Sequence, residues 1–154
     1  MAIFKDYLEN KSPLILHGAL GTEMESLGYD ISGKLWSAKY LLEKPEVIQE
    51  IHETYIASGA DLITTSSYQA TLPGLMEAGL TEREAEQVIA LTVQLAKAAR
   101  DKIWATLDET EKAKRPYPLI SGDVGPYAAY LANGSEYTGA VSYTHLTLPT
   151  ILLV

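Results

Sequence analysis

Three short apolar segments, separated by two long amphipathic ones, constrain this chain more than any other feature. Leu14–Leu16 follows Pro13 and ends in His17-Gly18, the pattern of a buried strand entering a tight turn. Asp61–Ser67, DLITTSS, is rich in β-branched residues and predicts a second strand. Pro118–Ser121 predicts a third, ending in Gly-Asp-Val-Gly-Pro. Between the first two, a short helix is expected near Leu35–Leu42. A longer one starts at Pro45, a residue suited to the first helical position, and stops at Gly59. Val47, Ile48, Ile51, Tyr55 and Ile56 form its apolar stripe, and His52 is expected to face solvent. The helix after the second strand opens on Thr81 and Glu84, whose spacing allows reciprocal capping of free backbone N–H groups. Val88, Leu91, Thr92, Leu95, Ala99 and Ile103 carry it at helical spacing towards Ala105. Two consecutive β-α units imply right-handed crossovers and a parallel sheet, hence an α/β fold. That order alone leaves a Rossmann-like sheet and a TIM barrel both open.

Composition narrows the function classes. A formal net charge of -8, with no dense basic surface, argues against a nucleic-acid partner. The one basic cluster, Lys112, Lys114 and Arg115, sits beside Glu109 and Glu111. No apolar run approaches the roughly 18 residues that would span a bilayer, so no membrane partner is expected. The start, MAIFKDYLENKSP, lacks a signal-peptide core, and a cytoplasmic location is expected. The sequence contains no cysteine, which excludes disulfides, thiolate-bound metal and a cysteine nucleophile from this chain. After Glu136 there is no Asp, Glu, Lys or Arg as far as Val154. That break divides the chain into residues 1–140 and a tail, 141–154.

Few residues announce chemistry. His17–Glu23, HGALGTE, is Gly-rich and follows a strand, but its spacing fits neither a P-loop nor the dinucleotide fingerprint. A Gly18-x-x-Gly21-Thr22 turn still lets backbone N–H groups approach a carboxylate or small anion, although a purely structural turn explains it equally. His17 stands at the C-terminal end of a strand, where barrel enzymes place functional groups, and a structural histidine is as good a reading. Ser66, Ser67, Tyr68 and Gln69 can orient a zwitterion but include no acid–base pair. Asp123 reads as a turn former. No Ser-His-Asp set, H-E-x-x-H motif or carboxylate dyad is present. The residues predict a binding face without a catalytic engine.

Four collinear segments carry a resemblance: LILHGALGTEME, LWSAKYLLEKPEVI, ADLITTSSYQAT and SGDVGPYAAYLANGSEYTG. Together, from Leu14 to Gly139, they resemble the N-terminal half of the homocysteine S-methyltransferase family, most closely its S-methylmethionine-dependent branch. The resemblance implies a (β/α)₈ TIM barrel, of which this chain would supply about three parallel strands and two main helices, with the barrel not closed. It further implies methyl transfer from S-methylmethionine, or S-adenosylmethionine, to homocysteine to give methionine. In that family three cysteine thiolates hold a zinc ion and the homocysteine sulfur takes its open position. Carried over by position, His17, Gly18, Thr65, Tyr68 and Gln69 would bind substrate, and Tyr127 and Tyr130 would reach the donor side. The resemblance assigns this chain no catalytic residue and no metal ligand.

Two departures stand out. The family usually has Asp where this chain has His17. Its zinc cysteines, and an acid that recognises the substrate amine, belong to the second half of the barrel. The chain is therefore expected to be an N-terminal fragment, inactive alone and prone to aggregate through an unpaired strand edge. VSYTHLTLPT, Val141–Thr150, resembles the translated readthrough of a sequencing adaptor, and the tail is expected to be non-native. Two other classes fit the residues: an aldolase-like lyase using His17 as a proton carrier, and a non-catalytic binding protein.

Overall fold

Proline, glycine and capping residues set most helix limits in the computed structural model, which describes residues 13–125 together with Leu131 and Asn133. The order is α1 (Leu20–Ser26), a 3₁₀ turn (Trp36–Lys39), α2 (Tyr40–Glu43), α3 (Pro45–Ala57), β1 (Leu62–Thr64), α4 (Leu72–Glu77), α5 (Glu82–Thr106), α6 (Glu109–Lys112) and β2 (Leu119–Ser121). Pro45 occupies the first turn of α3, and Gly59, at φ 105°, lets the chain turn back where a side chain would be strained. At the start of α5 the Glu84 N–H donates to Thr81 Oγ1 while the Thr81 N–H donates to Glu84 Oε2, 2.8 Å away. Asp108 and Glu111 repeat this box at α6. The predicted boundary at residue 140 and the tail lie outside the described residues, as do Tyr127 and Tyr130.

The sheet is parallel and its order follows the chain. Leu62, Ile63 and Thr64 of β1 pair with Leu119, Ile120 and Ser121 of β2. On the other side of β1, Leu16 forms a parallel bridge to Leu62, and the His17 N–H donates to the Leu62 carbonyl at 3.0 Å. Among the described residues the sheet is open. The first predicted strand is thus reduced to one bridging residue, and it is not buried: Ile15 is 56% and Leu16 57% exposed. Only one edge of that segment meets β1, so its apolar side chains lack cover. The second strand is also shorter than Asp61–Ser67. Beyond Thr64 the hydroxyls of Thr65 and Ser67 bond across to the chain after β2 and turn the backbone out of the ladder. Gly21 and Thr22, expected in a turn, lie inside α1, which forms because it buries Met24 completely.

Two apolar clusters fill the space between helices and sheet. Met24, Ile48, Ile51, Leu75 and Leu95 belong to the larger one. Ile56 and Ile63 meet Ala96 and Ala99 in the other, where small side chains let α5 pack closely against α3. Arg115 ties the chain before β2 to the end of α3, its guanidinium donating to the carbonyls of Ile56 at 2.9 Å and Ala60 at 2.5 Å. The Ile56 carbonyl, in the last turn of α3, also accepts the Gly59 N–H at 3.1 Å. His52 corrects the expectation of a surface residue: it is 1% exposed. It stands four residues after Ile48 and four before Ile56, within the apolar stripe rather than beside it.

Candidate functional site

A cleft of about 640 Å³ opens at the C-terminal ends of the parallel segments. Its wall includes the five residues that the family resemblance assigns to substrate binding, His17, Gly18, Thr65, Tyr68 and Gln69, whereas Ser67 does not line it. The first two follow the Leu16 bridge and the other three follow β1, so adjacent strands deliver them to one place. Ser66, also noted in the sequence, lines it too, and the structure adds Asp123, from the chain after β2, with His52, Trp36 and Glu25.

Gly18 allows the closest approach in this wall. A Cβ there would stand 2.7 Å from the Tyr55 hydroxyl, which donates to the Ala19 carbonyl at 3.2 Å. His17 lies between this tyrosine and β1. Its Nε2 is 2.6 Å from Thr64 Oγ1, whereas its buried Nδ1 meets no hydrogen-bond partner among the described residues. The ring packs edge-on against His52 with centroids 6.1 Å apart. Burial lowers the His17 pKa from its ordinary 6.5, against the opposing pull of the Gly18 backbone and the Asp123 charge. His52 is pushed down to about 4 by burial and by its neighbour His17. Both imidazoles are therefore neutral near pH 7. Among the described residues neither His52 ring nitrogen, nor Ser66 Oγ, has a hydrogen-bond partner.

A ring of hydroxyls positions Asp123. The Ser67 hydroxyl donates to the Asp123 carbonyl at 2.5 Å, which uses its only proton. Thr65 must then donate to Ser67 Oγ, 2.7 Å away, and its lone pair accepts the Asp123 N–H at 2.9 Å. The backbone of Asp123 is held on both sides, and the residue lines the cleft. Burial raises the Asp123 pKa, while the His17 charge acts in the opposite direction. Thr65→Val keeps the shape but strips both functions of this hydroxyl. It is expected to lower stability by about 1–3 kcal/mol, the usual effect of stranding buried polar groups. Chemical denaturation checks this, and an unchanged midpoint would show that the ring carries no stability.

Asp123 and His52 were missed as site residues for different reasons. An Asp two residues past a strand has the composition of any turn, and nothing local distinguishes it. His52 did leave a signal, its place in the apolar stripe. For metal chemistry the residues do not fit: the sequence has no cysteine, and among the described residues no group of three His, Cys, Asp or Glu is arranged to hold an ion. Among the described residues no helix is long and apolar enough to cross a membrane.

Comparison with known proteins identifies a family. The family model for homocysteine S-methyltransferase matches residues 14–149. Homocysteine S-methyltransferase YbgG of Bacillus subtilis (strain 168) is 47% identical over 126 residues, covering 82% of this chain and 39% of that protein. A selenocysteine methyltransferase of Astragalus bisulcatus is 40% identical over 133 residues, covering 81% of this chain and 39% of its own length. The crystal structure of the metallated form of the homocysteine methyltransferase MmuM from Escherichia coli superposes with a TM-score of 0.76 at 40% identity. That match covers 94% of this chain and 48% of the other. The chain thus spans between about two fifths and one half of the length of these relatives.

Proposed function

The chain belongs to the homocysteine S-methyltransferase family, and from that premise we propose that its cleft is the homocysteine-binding part of an enzyme that methylates this thiol. The donor in this reading is a sulfonium compound, S-methylmethionine or S-adenosylmethionine, and the product is methionine. The LWSAKYLLE segment favours S-methylmethionine, by resemblance to that branch. One observation carries the reading. Five residues chosen by family resemblance, from segments about 50 positions apart, line a single cleft at the C-terminal ends of adjacent parallel strands. The same strand order is what the first part of a TIM barrel requires, and we extend the fold to that architecture.

Within the cleft, Gly18 admits the ligand close to the backbone, His17 offers an uncharged ring, and Thr65, Tyr68 and Gln69 supply polar walls. A thiolate-held zinc ion, which the family resemblance implies, would activate the homocysteine sulfur. This chain has no ligand set for it, so we assign the metal to the length of the relatives that the chain does not span. The chain alone should therefore bind homocysteine without methylating it. Titration with homocysteine should shift the ring signals of His17 and His52 in an NMR spectrum, with no methionine formed when S-methylmethionine and zinc are added. Rings that stay unmoved at saturating homocysteine would sink the binding reading. Methionine production, or one zinc bound per chain, would sink the division of labour.

A further inference from the structure

A second, smaller cavity of about 260 Å³ adjoins the cleft. Gln69 lines both, so the two volumes meet at that residue. The smaller cavity lies between the chain leading into the 3₁₀ turn and α4. Leu35 supplies an apolar wall, and Lys34 and Glu77 bring opposite charges to it. Their side chains are 86% and 50% exposed and meet at 3.4 Å, which is long for an ion pair. Such a contact contributes little to stability, and its charges can be exchanged for those of a ligand. Among the described residues the Gln69 amide makes no hydrogen bond, and the Thr71 hydroxyl, which accepts the Gly74 N–H at 3.2 Å, keeps its own proton. A cation, an anion, two uncommitted polar groups and an apolar wall suit a zwitterion on a short aliphatic stem.

Methyl transfer needs two substrates side by side, and the cleft accounts for one of them. We propose that the smaller cavity holds the α-amino-acid head of the sulfonium donor. Lys34 takes its carboxylate and Glu77 its ammonium, and the sulfonium points past Gln69 towards the homocysteine sulfur. The proposal rests on the reading of the cleft as a homocysteine site. The sequence supplies a second link: Leu35, in this wall, opens the LWSAKYLLE segment that favours S-methylmethionine. The donor is thus selected by its head, away from the methyl group it transfers.

The test is calorimetric titration of the full chain after saturation with homocysteine. S-methylmethionine should bind without displacing homocysteine. The same sulfonium acid without its amine, 4-dimethylsulfoniobutyrate, should bind about fivefold more weakly. Glu77→Gln should erase that preference, whereas Lys34→Met should weaken both ligands by about the same factor. Both side chains are exposed, so the variants should fold, which circular dichroism checks. Methionine carries the same head without the positive sulfur. It should bind more weakly than the donor, because the adjoining cleft carries Glu25 and Asp123 but neither Lys nor Arg. The proposal is overturned if S-methylmethionine fails to bind the saturated chain or competes with homocysteine. It is equally overturned if the preference for the amine survives Glu77→Gln, if Lys34→Met changes nothing, or if methionine binds as tightly as the donor. Failure of homocysteine to bind at all overturns the reading of the cleft instead, and the two variants then test the cavity with S-methylmethionine alone.

Discussion

Acidifying the chain from pH 6.5 to pH 4 is expected to remove about 3 kcal/mol of folding stability through His52. The unfolded chain takes up a proton on this residue near its ordinary pKa of 6.5, whereas burial keeps the native ring neutral down to about 4. Between those values the unfolded state binds more protons than the native state, so stability falls as pH falls. Above 6.5 the contribution is constant, and below 4 both states are protonated and the loss is complete. His17, shifted in the same direction by its own burial, adds to the slope. Asp123 opposes it, since a raised native pKa makes the native state the better proton binder above its ordinary value. Urea unfolding at pH 7 and pH 4 measures the sum, and His52→Leu isolates the main component. Among the described residues neither ring nitrogen has a partner to lose, so the leucine variant should remain folded at pH 7. Its stability should depend less on pH by about 3 kcal/mol. A pH dependence identical to that of the parent would show that another group controls the acid transition.

The second large effect is steric. Gly125→Ala would drive a methyl group into the backbone carbonyl of Tyr68. Tyr68 lines the cleft and directly follows Ser67, whose hydroxyl is already bonded to the Asp123 backbone. Relief requires the two segments to separate, which would break the hydroxyl ring. The expected loss is about 3 kcal/mol, the upper end for overpacking, together with loss of homocysteine binding. Gly122→Ala is the control. A Cβ there meets nothing within 4 Å, so its unfolding midpoint should match the parent. Gly18→Ala should fall between them, because its obstacle is the tip of the Tyr55 side chain rather than backbone. Comparable midpoints for the Gly122 and Gly125 variants would refute the close approach at Tyr68.

Legibility in the sequence follows the range of the forces involved. Pro45, Gly59 and the Thr81–Glu84 box act within one helical turn, and each boundary they suggested is found. The short helical region near Leu35–Leu42 is also present, as a 3₁₀ turn running into α2. Expectations that needed neighbours fared worse. Leu14–Leu16 has the apolarity of a buried strand, yet burial depends on a partner along its free edge and not on its own side chains. Asp61–Ser67 has the β-branched content of a long strand, but hydroxyl bonds to residues 56 and 58 positions away end it early.

By itself, the sequence determined the parallel β-α order, the main helix limits, the family, and five residues that meet in one cleft. It could do so because strand ends recur at motif positions, and side chains there need only the strand's direction to converge. Only the tertiary structure decided that His52 is buried against His17, and that Thr65 and Ser67 hold the Asp123 backbone beside the cleft. Those relations join residues distant in sequence. Packing of α3 against the sheet and the pairing of β1 with β2 create both the desolvation and the hydrogen bonds that define them.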